Sequence, residues 1–66
     1  MEVLINGEAK VFAEGTTVLE LLHAKGLQGK RIAVEVNEEV LPRGEHASYR
    51  LQAQDRVEIV QAIGGG

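Results

Sequence analysis

Along this chain apolar positions recur every second residue, then at helical spacing, then every second residue again. Each change of period marks a change of element. In "MEVLINGEAKVFA", Met1, Val3 and Ile5 point one way and Glu2, Leu4 and Asn6 the other, as a half-buried strand requires. Asn6-Gly7 follows, the pair that suits a two-residue hairpin turn with positive φ at both positions. The returning strand puts Ala9 and Val11 on one face, with Phe12 at its end. In "EGTTVLELLHAKGLQ", Val18, Leu21, Leu22 and Lys25 fall at helical spacing, and Leu19 broadens the apolar face. Thr17 with Glu20 three residues on forms a capping box, so the helix is predicted from about Val18 to Lys25. Gly26 is placed to be its left-handed C′ residue, with Leu27 folding back on the last turn. A helix this short is held by packing on a sheet rather than by propensity.

"KRIAVEVNEEVLP" returns to period two, with Ile32, Val34 and Val36 on one face. Asn37-Glu38 reads as a turn into a short strand, Glu39 to Leu41, ended by Pro42, which suits a sheet edge. "RGEHASYRLQAQD" is polar and irregular, with Tyr49 and Leu51 as core anchors. In "RVEIVQ" the last strand turns Val57 and Ile59 inward and Glu58 and Val60 outward. The order strand, strand, helix, strand, short strand, strand predicts an α+β fold. A mixed sheet of four to five strands carries one main helix packed on one face, and the first and last strands lie side by side. Residues 1–62 form a single domain on this reading, and 63–66 a flexible glycine tail.

Composition narrows the function more than the fold. A chain of 66 residues supports one core, and it buries only about 60% of its unfolded surface. A formal charge of −3 argues against nucleic-acid binding. There is no cysteine, which removes disulfides and thiol nucleophiles from this chain. No apolar run is long enough to span a bilayer, and "MEVLING" lacks a basic region and an apolar signal core, so the expected compartment is the cytoplasm. His23, late in the helix, and His46, in a polar loop, read as surface histidines outside any metal-ligand spacing. Glu38 and Glu39 read as solubilising, and Asp55 as a turn residue. Ser48 has no G-x-S-x-G context. No catalytic site, metal site or bound cofactor is expected, and the chain is not read as an enzyme.

The chemistry then rests on "QAIGGG". A terminal glycine carboxylate has no Cβ beside it, so a narrow channel admits it and a nucleophile approaches closely. Residues Ile63 to Gly66 extend about 13–14 Å, enough to enter another protein's active site. Attack of that carboxylate on the α-phosphate of ATP, with Mg²⁺ spreading the charge, gives an acyl-adenylate. A sulfur nucleophile then displaces AMP. ATP and Mg²⁺ would be used by the activating partner, and this chain would be the co-substrate.

The segments "GTTVLELL", "IAVEVN", "EEVLPR" and "DRVEIVQAIGGG" are similar to those of the β-grasp, ubiquitin-like sulfur carriers, and most resemble the ThiS family of thiamin (thiazole) biosynthesis. Asn37 to Arg43 matches that family's N-x-x-V-x-P-R pattern, and the resemblance covers essentially the whole chain. It implies that Gly66 is adenylated on its carboxylate and converted to the thiocarboxylate. Gly65 would complete the essential pair, and Gly64 is a glycine beyond the motif's demand. The implied partners are a ThiF-like adenylating enzyme, a cysteine desulfurase or other persulfide donor acting indirectly, and the thiazole synthase ThiG. Alternation places Leu4 and Val60 on the outer sheet face as a candidate docking patch. Ile63 would contact the partner, while Arg43, Arg50 and Arg56 read mainly as solvated. Alternatives are the small subunit of molybdopterin synthase, a tRNA-thiolation carrier, a ubiquitin-like modifier and a plain β-grasp interaction module.

Overall fold

The first hairpin forms as the Asn-Gly pair dictates. Strand β1 (Glu2–Ile5) turns through Asn6 (φ 50°) and Gly7 (φ 85°) into β2 (Glu8–Val11), with Ile5 opposite Glu8. Both turn residues sit in the left-handed region that a two-residue hairpin matched to strand twist needs. The structure, a computed structural model, describes residues 1–61. The expectations placed on Ile63, Gly64, Gly65 and Gly66, and the division after residue 62, lie outside the described residues.

Helix α1 (Val18–Ala24) carries the predicted capping box: the Glu20 N–H donates to Thr17 Oγ1 at 3.1 Å, and the Thr17 N–H donates to Glu20 Oε1 at 2.8 Å. Two further N–H groups at its start are satisfied from elsewhere in the chain, Val18 by the Tyr49 carbonyl and Leu19 by the His46 carbonyl. A helix start leaves four such donors without intrahelical partners, so the loop of residues 43–51 completes the cap. At the other end Gly26 (φ 72°) donates to His23 and Leu27 to Leu22, the paired bonds of a Schellman stop. Lys25 is the C-cap, one residue beyond the last helical residue.

After α1 come β3 (Ile32–Val36), β4 (Glu39–Leu41), a single 3₁₀ turn at Arg43–Glu45, and β5 (Arg56–Gln61). The five-stranded sheet has the order β2-β1-β5-β3-β4. β5 lies between β1, to which it is parallel, and β3, to which it is antiparallel. The fold class is thus the expected mixed sheet with one main helix. The core consists of Val3, Ile5, Val18, Leu21, Leu22, Val34, Val36, Leu41, Leu51 and Val57, with Tyr49 and Ile59 partly buried against it. Ala9 and Val11 share a face as read, but β2 is an edge strand and all four of its residues are exposed. Phe12 instead packs at the core's margin.

Candidate functional site: the outer sheet face and the end of β5

β5 is the strand that leads to the glycine tail, so whatever fixes its end fixes where the tail starts. Backbone pairing with β1 is brief: Leu4 stands opposite Arg56 and Ile5 opposite Val57. The chain of β1 then turns away at Asn6. Here the Asn6 side chain takes over the ladder. Its Oδ1 accepts from the Ile59 N–H at 2.7 Å, and its Nδ2 donates to the Ile59 carbonyl at 3.2 Å. A carboxamide offers the same donor and acceptor as a peptide group, so Asn6 extends the β1–β5 pairing by one residue without extending β1. On the other flank, β3 pairs with β5 through Ile32↔Gln61. The end of β5 is held from both sides.

The start of β5 is pinned by a second set of side chains. Asn37 accepts the Arg56 N–H on Oδ1 at 3.0 Å, and its own N–H donates to the Arg56 carbonyl at 2.7 Å. Its Nδ2 donates to Asp55 Oδ1 at 3.0 Å. Asp55 Oδ2 accepts from the Tyr49 hydroxyl at 3.0 Å and from the Gln52 N–H at 2.9 Å. Asp55, read from sequence as a turn residue, does sit in a turn, but it is also buried at 7% exposure and joins three segments. A buried carboxylate is tolerated only with its oxygens satisfied, and here both are. Burial raises the Tyr49 hydroxyl above its ordinary pKa, and the hydrogen bond and charge of Asp55 add to the rise.

His46 corrects its sequence reading. It is buried at 6% exposure, with Nε2 lying 3.3 Å from the Leu41 carbonyl. That carbonyl can only accept, so Nε2 carries the proton. A polar loop lays His46 inside because its backbone carbonyl must reach the Leu19 N–H at the helix start. His23 is exposed. Arg50 is exposed but engaged, its Nη1 donating to the Gly15 carbonyl at 3.0 Å. Among the described residues no group of three or more His, Asp or Glu side chains is placed to hold a metal ion. Among the described residues, too, no helix is long and apolar enough to cross a membrane.

Leu4 and Val60 both lie on the sheet face turned away from α1, since their strand neighbours Val3, Ile5 and Val57 point into the core. The strands are adjacent, as read. The register, however, separates the two side chains. Leu4 stands opposite Arg56, so Val60 is four residues farther along β5, about 13 Å at strand rise, with Glu58 between. Leu4 neighbours Ala9, and Val60, at 63% exposure, neighbours Ala33. On the outer face Leu4 and Val60 therefore form separate apolar spots, that at Val60 nearer the tail in sequence, and Val11 and Val40 on the edge strands are exposed there as well. Alternation does not reveal Asn6 and Asn37 as supports of β5. The visible signal is an Asn at the end of each strand flanking β5, but its meaning depends on pairings 53 residues away for Asn6 and 19 for Asn37.

Comparison with known proteins matches this geometry to one family. The model of the ThiS family matches residues 3–66. The thiazole synthase of Paramagnetospirillum magneticum is 39% identical over all 66 residues of this chain, which span only 20% of that protein. The chain thus covers about a fifth of the length of these longer relatives. The sulfur carrier protein ThiS of Escherichia coli K12 is 33% identical, with each chain covered completely. The crystal structure of the thiamine biosynthesis protein ThiS from Geobacter metallireducens superposes with a TM-score of 0.84 at 35% identity, again over the whole of both chains. Match, length and β-grasp architecture agree: the chain belongs to the ThiS family.

Proposed function

We propose that this chain is a sulfur carrier of thiamin biosynthesis whose working group is the carboxylate of Gly66, and that it is a co-substrate rather than an enzyme. The observation that carries the reading is the end-to-end match with a sulfur carrier of the same length, with the family match running through Gly66. The described residues support it by supplying a pinned strand, β5, directly before the tail.

In this reading the Gly66 carboxylate attacks the α-phosphate of ATP on a ThiF-like adenylating enzyme. The bond between the α-phosphorus and its bridging oxygen breaks, and pyrophosphate leaves. Sulfur from a persulfide, itself made by a cysteine desulfurase, then attacks the acyl carbon, and AMP departs. Reductive cleavage of the S–S bond by a thiol leaves the thiocarboxylate. ATP and Mg²⁺ are held by the activating enzyme, which works in the cytoplasm. The thiazole synthase ThiG receives the sulfur, a partnership supported by relatives in which a ThiS-like segment is a fifth of a protein named thiazole synthase. Ile63 to Gly66 enter the partner's channel. The outer face docks against it, at Val60 beside the tail and at Leu4 farther along.

The test is the intact mass of the chain after incubation with ATP, Mg²⁺, the adenylating enzyme and a sulfur donor. The expected result is a gain equal to exchanging one oxygen for one sulfur, absent from a chain lacking Gly65 and Gly66. An unchanged mass overturns the carrier reading, and isopeptide conjugates in its place indicate a protein modifier.

A further inference from the structure

One region of the surface contrasts with the acidic whole. Between the end of α1 and the start of β3 lies a hollow of about 280 Å³, floored by Leu22, Leu27 and Ile32. Its rim carries Lys30, Arg31 and Arg43, with His23 and His46 behind them. A second hollow of about 310 Å³ adjoins it, sharing Arg31, Ile32 and Arg43 and reaching Val60 on β5. Three of the seven Lys and Arg residues of the chain gather here, and none of its ten Asp and Glu residues lines either hollow.

We propose that this basic cleft seats a carboxylate-bearing surface segment of the enzyme that adenylates the tail. The inference rests on the carrier reading above and adds the partner chemistry that a sheet face and a tail do not supply. Lys30, Arg31 and Arg43 are exposed, and among the described residues none of their side chains is in an ion pair or a hydrogen bond. Gathering cations without counter-charges, in a chain of net charge −3, is unfavourable until an anion arrives. The helix C-terminus accounts for a cation close to it. It does not account for Arg43, which comes from the 3₁₀ turn after β4. Guanidinium groups bind carboxylates in a two-pronged geometry, and the apolar floor suits the stem of a Glu or Asp side chain.

The position of the cleft selects among anions. It meets β5 at Val60, and Ile32 on its floor is the strand partner of Gln61, so it stands where the tail begins. The five residues after Gln61, ending at Gly66, span at most about 17 Å when extended. A tail threaded into a channel therefore carries its carboxylate, and the nucleotide it attacks, well away from this cleft. What faces the cleft is the rim of the channel, which is protein. A negatively charged rim would draw the basic cleft in and align the tail, an effect that acts on encounter and weakens with salt.

The test compares two variants of equal charge loss, Arg31→Gln/Arg43→Gln and Lys10→Gln/Lys25→Gln. All four residues are exposed, so melting temperature checks that each variant folds. Affinity for the adenylating enzyme without ATP, and kcat and KM for adenylation with the chain as varied substrate, are measured from 50 to 500 mM salt. The Arg31/Arg43 variant is expected to bind tenfold or more weaker at low salt, with KM raised in proportion, kcat unchanged and the salt dependence flattened. The Lys10/Lys25 variant should keep wild-type values within about twofold. Equal losses in the two variants would reduce the effect to bulk charge and overturn the proposal, as would wild-type affinity and salt slope in the Arg31/Arg43 variant. Shifts of the Arg31 and Arg43 amide resonances on adding ATP alone would place a nucleotide in the cleft and also overturn it. Wild-type chain that binds the enzyme but is never adenylated would sink the carrier reading, while the affinity comparison would still decide the cleft.

Discussion

Individual side chains in this protein do work that their residue types do not announce. Asp55 is the plainest case, since its two oxygens bind Asn37, Tyr49 and the Gln52 backbone. An Asp between a glutamine and an arginine at the start of a strand reads as a turn, and the buried role depends on Asn37 arriving from the β3–β4 turn and on Tyr49 folding back from six residues upstream. The same holds for His46, which a polar sequence hides and a backbone requirement buries. The Asp55 pairing has a measurable consequence in Tyr49. Its pKa is raised in the folded state, first by burial and then by Asp55, so the unfolded chain loses the proton more readily. This contribution is complete below the unfolded pKa of 10.0 and is lost as pH rises through the higher folded value. The folded chain should therefore lose stability at alkaline pH. Replacing Tyr49 by Phe should flatten that loss in urea titrations between pH 9 and 11, and an unchanged slope would show that Tyr49 does not cause it.

At the scale of elements, local rules carried most of the fold. The Asn6-Gly7 turn, the Thr17/Glu20 capping box, the Gly26 stop and the alternation in β3 and β5 each act over a few residues, so each was legible. Register between β1 and β5 was not, because no turn joins them and alternation fixes only which face a residue occupies. That is why Leu4 and Val60 could be assigned to one face but not to their separation. It is also why Asn6 looked like a turn residue and nothing else. Because its amide replaces a missing strand residue, Asn6→Ala should release the end of β5 from β1 while β3 still holds it. Two exposed side-chain hydrogen bonds would be lost, worth about 1 kcal/mol in all. Amide exchange at Ile59 should quicken markedly, and because Ala at the left-handed φ of Asn6 costs about a further 1 kcal/mol, global stability should fall by about 2 kcal/mol. Protection at Ile59 equal to wild type would mean the Asn6 bonds do not secure the strand.

Across the whole molecule, the described packing belongs to residues 1–61 and the proposed chemistry to Gly66. The buried core runs from Val3 to Val57, and Ile59 is the last of the described residues packed against it. The polar networks at Asn6, Asn37 and Asp55 brace β5 up to Ile59. The reading of the glycines rests on composition and resemblance, and it lies outside the described residues. The proposed carrier role calls for a tail free of the domain, since bonds tying it back would have to be broken each time its reacting end enters another protein. Removing Gly65 and Gly66 should therefore shift the melting temperature by less than about 2 °C, the shift that a few tenths of a kcal/mol produces in a domain of this size. Thermal unfolding followed by circular dichroism measures it directly. A fall of 5 °C or more would show that the last two residues are bonded to the domain, and thiocarboxylate formation would then have to be preceded by their release.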